Sequence, residues 1–202
     1  VWAPIPGTEW YVMRLCSDPA DAKTSLAIAQ RYGDREMIGS SLHTLGEIAL
    51  NDDDLENARS YFEESLPHFR DLDDRFNTAA TLHKLAQTYR LLGQPELAIQ
   101  LARQSLHLSR RIGDRFWSAS SLAGTGIIAF YTGNYSEAED YLQEANTIYR
   151  EMGFKVGVAA SNVVLRALVS LGDDREKFNA LAKEVLEIAA EIGRKHITRS
   201  VS

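Results

Sequence analysis

Apolar residues recur along this chain at three- and four-residue steps, in blocks separated by turn-forming residues. In one block Ala138, Tyr141, Leu142, Ala145, Ile148 and Tyr149 fall on a single helical face. The block before it does the same with Phe116, Ala119, Leu122 and Gly126, continuing to Ala129 and Phe130. Between them, YTGNYSEAE carries turn chemistry and then an acidic helix start. The pair reads as a helical hairpin, and the pattern predicts four of them. First helices are expected near 35–51, 75–92, 115–132 and 155–171, and second helices near 54–71, 94–111, 134–151 and 174–192. Connections of two to four residues force neighbours to run antiparallel.

The hairpins share a 40-residue register. Gly33, Gly113, Gly153 and Gly193 lie on it, with Asp73 in the remaining place. Leu42, Leu82 and Leu122 align, as do Leu45, Leu85 and Leu165, Gly46, Ala86 and Gly126, and Ala58, Ala98 and Ala138. The glycines suit a left-handed residue just past a helix end. Asp34, Asp74 and Asp114 are placed to cap the helix that follows, and Pro95 fits a first turn, where a missing donor costs nothing. Glycine inside a helix costs about 1 kcal/mol relative to alanine. Close approach of a partner helix presenting Ala58 or Ala138 would compensate at Gly46 or Gly126.

On this register the chain divides into an N-terminal segment and partial repeat (1–33), repeats at 34–73, 74–113 and 114–153, a divergent repeat at 154–193, and the start of a truncated repeat or tail at 194–202, all one solenoid domain. In the divergent repeat Asn162, Arg166 and Phe178 replace leucine, a small residue and alanine. Residues 17–33 read as a shortened second helix. Thr8 to Cys16 is its candidate partner, after the Pro4-Ile5-Pro6-Gly7 breaker.

The run Leu42, Leu45-Gly46, Ala49, Ala58, Phe62 and Ser65 resembles the tetratricopeptide signature. Its counterparts are Leu82, Leu85-Ala86, Tyr89, Ala98, Ala102 and Ser105, then Leu122, Gly126, Ala129, Ala138, Leu142 and Ala145, with Thr125 where leucine is usual. The spacing exceeds the standard repeat of about 34 residues. It is similar to the extended variant in the sensor regions of MalT-like bacterial transcriptional activators and other NTPase-linked signalling proteins. The resemblance spans about residues 17–196. It implies an all-α, right-handed superhelical solenoid of antiparallel hairpins, with first helices lining a concave groove. Carried over residue by residue, the groove contains His43, Glu47, Asn51, His83, Gln87, Arg90, Ile127, Phe130, Tyr131 and Val163, with Leu171 near its end. It further implies a non-enzymatic sensor or scaffold module of a larger cytoplasmic regulatory protein, working in bacterial signal transduction and transcription regulation. The partner would be a protein or peptide, another domain of the same full-length protein included. The alternative is a self-association scaffold, such as a homodimer, acting through terminal repeat faces.

The early groove columns offer His, Glu, Gln and Arg, and the later ones Ile127, Phe130, Tyr131 and Val163. Apolar burial beside polar donors suits a peptide or partner helix. Packing between repeats is the other reading of Ile127, Phe130 and Leu171, and self-association a third. Trp117, whose siblings are Met37, Asn77 and Gly157, either fills a gap between repeats or forms a rim of the binding surface.

Composition narrows the chemistry. With 45% hydrophobic and 25% charged residues, the chain is neither disordered nor fibrous. Its single Cys excludes an internal disulfide framework or a multi-thiolate metal site, and Cys16 has no assignable base. No apolar run approaches the ~20 residues of a membrane span. A net charge of −6 disfavours a phosphate backbone as a direct partner. The recurring Asp-Arg couplets are explained by the repeat, with Asp capping and Arg crossing to a neighbouring carboxylate. His43 and His83 share a column, but stacked repeats would hold them about 10 Å apart, against metal bonds of roughly 2 Å. Asn51-Asp52-Asp53-Asp54 lacks the EF-hand loop, and Asp71, Asp73 and Asp74 read as capping and solvation. There is no phosphate loop, nucleophile elbow or HExxH run. Neither an enzyme nor a cofactor or metal site is expected. Asn134-Tyr135-Ser136 reads as turn chemistry, with Asn134 in the turn conformation. The opening VWAPIPGTEW, without an initiator Met or a basic-then-apolar leader, reads as the start of an excerpt from a longer protein.

Overall fold

The computed structural model describes residues 19–171, together with 180, 181, 183–188 and 191. Eight helices follow one another: α1 Pro19–Tyr32, α2 Arg35–Asn51, α3 Leu55–Asp71, α4 Arg75–Leu91, α5 Pro95–Ile112, α6 Arg115–Tyr131, α7 Tyr135–Glu151 and α8 Lys155–Val169. The later described residues are helical too, and no strand occurs among the described residues. The chain forms two compact units, Val1–Leu101 and Ala102–Ser202. Expected and observed helices agree to within two residues over 35–169. Helix α1 begins at Pro19 and, at 14 residues, is shorter than the 17-residue α2, as expected. The expectations for Thr8 to Cys16, Phe178, Gly193 and 194–202 lie outside the described residues.

Helix ends follow from local chemistry. The Asp34, Asp74 and Asp114 carboxylates accept from the amides of Met37, Asn77 and Trp117 at 3.0, 3.0 and 2.7 Å. Gly33, Gly113 and Gly153 hold φ of 68°, 79° and 68°, and Asp73 takes the same left-handed conformation at 50°. A second series, not singled out in the sequence, closes the turns inside the hairpins: Asp53, Gly93 and Gly133 at 62°, 73° and 80°. A left-handed residue therefore reverses the chain every 20 residues from position 33 to 153. Asn134 lies in the expected turn. The left-handed place belongs to Gly133, while Asn134 has φ −85° and its side-chain amide donates to Thr132 Oγ1 at 2.8 Å. Pro67 lies inside α3, a position that interrupts the helical hydrogen-bond ladder, yet the helix continues to Asp71.

In the first unit α1 packs on α2, α2 on α3 and α3 on α4, burying Ala29, Leu42, Leu45, Phe62, Phe69 and Leu82. In the second, Leu106, Ala119, Leu122, Ala145, Tyr149, Val158 and Ile188 form one cluster. The expected compensation at the mid-helix glycines is corrected in detail. A Cβ at Gly46 would stand 2.6 Å from the Phe62 ring, and one at Gly126 would stand 2.8 Å from Leu142 Cγ and 3.2 Å from the Ala138 carbonyl. The glycines accept large side chains one turn beyond the alanines, because those alanines bring the backbones close and the next residue must fill the remaining space.

Cross-links at the helix ends bear out the expected role of the Asp-Arg couplets. Arg35 pairs with Asp71 at 2.7 Å, Arg115 with Glu151 and Lys155 with Glu191, each from the start of a first helix to the end of its own second helix. Arg75 instead turns to Asp73 at 3.2 Å, since Arg111 occupies the place equivalent to Asp71. Asp71 and Asp73 are thus ion-pair partners, not merely solvated carboxylates. Each such exposed pair contributes about 0–1 kcal/mol.

Gly46→Ala gains about 1 kcal/mol of helix propensity but drives a methyl group into the Phe62 ring. We expect a net loss of up to about 2 kcal/mol in urea unfolding, from overpacking of about 1–3 kcal/mol set against that gain. The loss should shrink when Phe62→Leu is added, because the double variant removes the overlap.

Candidate protein-interaction surface

The stripe of residues expected along the first helices is unevenly exposed: Asn51, Tyr131 and Val163 are exposed, whereas His43, Glu47, His83, Gln87, Arg90, Ile127 and Phe130 are half-buried. In the first unit the stripe is polar and already knitted together. His43 Nδ1 and Thr81 Oγ1 share a hydrogen bond of 2.9 Å, joining α2 to α4. The His43 ring meets Phe62 edge-on at 5.4 Å, and its Nε2 lies 3.9 Å from Glu47. Lys84 reaches the same Glu47 carboxylate at 2.6 Å. His43 and Glu47, expected as groove residues, therefore also hold successive first helices side by side. Half-buried His83 follows on α4, with its Nδ1 enclosed; Gln87 and Arg90 are half-buried, and Asn51 is exposed at the end of α2.

Burial sets the charge state of both imidazoles. It pushes His83 down to about 4, and the neighbouring Lys84 ammonium adds to the effect. His43 is likewise lowered by burial, with Glu47 opposing and Lys84 reinforcing the shift. Two neutral histidines thus lie beside one ion pair at neutral pH.

In the second unit the stripe changes character. Ile127 and Phe130 are half-buried, whereas Tyr131 is 62% exposed, Val163 47% and Leu171 61%. Phe130 meets Tyr131 edge-on at 5.4 Å and Tyr135 at 5.8 Å, so an aromatic cluster sits at the α6–α7 turn. Tyr135 was missed because the turn motif absorbed it; its spacing from Tyr131 was the available signal. Trp117 lies half-buried in the first turn of α6, where its backbone amide meets the Asp114 cap.

This geometry assembles apolar and hydrogen-bonding surface. No group of three or more His, Cys, Asp or Glu among the described residues could hold a metal ion. No described helix is long and apolar enough to cross a membrane.

The histidines predict a pH dependence. Both folded-state values lie below the unfolded 6.5, that of His83 at about 4, so as pH falls below 6.5 the unfolded chain binds more protons. Stability should be full above the unfolded value and fall as pH is lowered below it. Urea midpoints measured from about pH 7.5 to 5 should decline less steeply in His83→Gln than in the parent chain. Equal slopes would remove His83 from the account.

The comparisons with known proteins agree with the hairpin architecture. The tetratricopeptide repeat family model matches residues 37–111 and 77–151, together more than half of the chain. No curated protein matches the sequence. Among solved structures, BtubC from P. vanneervenii is similar at TM-score 0.73 and 21% identity, over 86% of this chain and 72% of that one. A signal transduction ATPase with numerous domains from Pyrococcus horikoshii, which has a tetratricopeptide repeat sensor, gives TM-score 0.73 and 22% identity over 90% of this chain and 28% of its own. A Rap protein complexed with competence and sporulation factor gives 0.70 and 17%, over 76% and 43%. These likenesses establish an all-α, TPR-like solenoid fold. The chain belongs to the tetratricopeptide repeat family.

Proposed function

We propose that the chain is a non-enzymatic protein-interaction module, binding a protein or peptide along the exposed columns of its first helices. It serves as the sensor or scaffold part of a larger cytoplasmic regulatory protein. One observation carries this reading: hairpin packing leaves Tyr131 and Val163 of the first helices, and Leu171 just past α8, 62%, 47% and 61% exposed. Aromatic and aliphatic side chains held on rigid helices supply affinity at little cost in conformational freedom. The fold neighbours support a recognition role, since one is a Rap protein complexed with competence and sporulation factor and another has a tetratricopeptide repeat sensor. This chain spans 43% and 28% of those two, consistent with a module inside something larger. A protein fits better than a nucleic acid, because Arg35, Arg103, Arg110, Arg115 and Arg150 are engaged by carboxylates.

Peptides selected from a random display library should bind the chain, and Phe130→Ala with Tyr131→Ala should weaken them about ten-fold or more while leaving helicity unchanged. Parallel loss of helicity and binding would assign both rings to the core. A library that yields no binder at all would count against the module.

A further inference from the structure

We infer that the buried Asn146–Asn162 pair is a pairing key: it admits α8 onto α7 and shuts out the leucine-faced first helices α2, α4 and α6, above all those of a second copy of the chain.

One couple of positions recurs along the register: Leu26 and Leu42, Leu66 and Leu82, Leu106 and Leu122, then Asn146 and Asn162. Leu106 and Leu122 share one buried cluster, and the Asn146 amide donates to Asn162 Oδ1 at 2.6 Å. These two couples therefore each join a second helix to the first helix that follows. In the first unit Leu42, Leu66 and Leu82 are buried where α1 packs on α2 and α3 on α4.

Repeats built on the same leucine couple offer interchangeable seams, and repeat arrays misassemble by exchanging like elements between copies. The seam on α7 is different. A first helix bringing leucine to the place of Asn162 would bury the Asn146 amide with no acceptor. Conversely, α8 laid on α1, α3 or α5 would set Asn162 at the place that faces Leu26, Leu66 or Leu106. The match is reinforced beyond the pair. Asn162, 0% exposed, donates to Glu184 at 2.7 Å, and Arg150 of α7 holds both oxygens of that carboxylate at 2.7 and 2.6 Å.

Stability alone does not account for the pair. Asn146 Oδ1 has no hydrogen-bond partner among the described residues, whereas two leucines would leave no polar atom in the seam. What the amides add is discrimination, because a wrong partner strands a buried donor that the right one engages.

The test uses the whole chain, refolded from urea at about 1–50 μM and read by light scattering. Energy transfer is read between copies labelled with donor or acceptor dye at the amino terminus. Asn146→Leu and Asn162→Leu should each lower the urea midpoint, and the double variant should recover it. The parent should return as a monomer throughout, while the double variant should associate increasingly with concentration and show energy transfer several-fold above the parent. A second measurement co-refolds the two single variants. Exchange of α8 at the Met152–Phe154 turn then couples Asn146 of one copy with Asn162 of the other, and leucine with leucine in the remaining seam. The mixture should form a heterodimer with a higher urea midpoint than either variant alone, which a general loss of structure cannot mimic.

A double variant that refolds as cleanly to monomer as the parent would overturn the inference, since leucine would then cost no discrimination. One that fails to regain the parental midpoint, or to fold, would overturn it too, by making the pair a stability element. Single variants that form no more dimer together than apart would remove the recognition between positions 146 and 162.

Discussion

Each complete hairpin depends on how near a first helix comes to its own second helix. At Gly46 and Gly126 the approach is close enough that Phe62 and Leu142 rest where a Cβ would otherwise stand. The two columns exchange volume along the register: Gly, Ala and Gly at 46, 86 and 126 accompany Phe, Ala and Leu at 62, 102 and 142. A fixed separation then requires a fixed reversal, which the left-handed residues provide every 20 residues. Interiors packed to crystal-like density tolerate little change in such a column. The glycine's conformational cost is therefore offset by contact and not by flexibility.

The divergent repeat shows how the same geometry accommodates polar residues. Leu106 and Leu122 belong to one apolar cluster, and sixteen residues separate them. At the same separation in the next repeat stand Asn146 and Asn162, joined by a hydrogen bond of 2.6 Å. Both columns have changed together. Asn162 also donates to Glu184 at 2.7 Å, and Glu184 is gripped by Arg150 through both carboxylate oxygens. A leucine at either asparagine alone would strand the other's amide, at a cost of about 1–3 kcal/mol. Thr125 replaces leucine by a simpler route: its hydroxyl donates to the Ser121 carbonyl at 2.7 Å, within its own helix.

Much of this architecture was legible in the sequence because each repeat states it again. Leu42, Leu82 and Leu122 mark one buried column, and Asp34, Asp74 and Asp114 one capping column. What a single residue decides by its neighbours was less legible. Asp53 takes a left-handed turn without being glycine, so composition did not mark it, whereas the glycine register had already pointed to Asp73. His43 and Glu47 looked like free groove residues, yet Thr81 and Lys84 lie against them from the next first helix. Their partners stand 38 and 37 positions away, near but not on the 40-residue spacing, so the register itself did not display the contacts.

The columns that repeat and the columns that vary do different physical work. Position 42 and its equivalents stay leucine until Asn162, since any change there must be matched across a buried interface. Position 43 and its equivalents run His, His, Ala, Val. Contacts on this column differ from repeat to repeat, with His43 bonded to Thr81 while Val163 is 47% exposed, so its chemistry changes as the leucine column stays. The repeating columns thus set the spacing of the helices, while the varying columns set the chemistry of each unit's surface. In the first unit charge joins α2 to α4 through Glu47 and Lys84. In the second, α8 is tied instead through Asn162, whose side chain bonds to Asn146 of α7 and to Glu184.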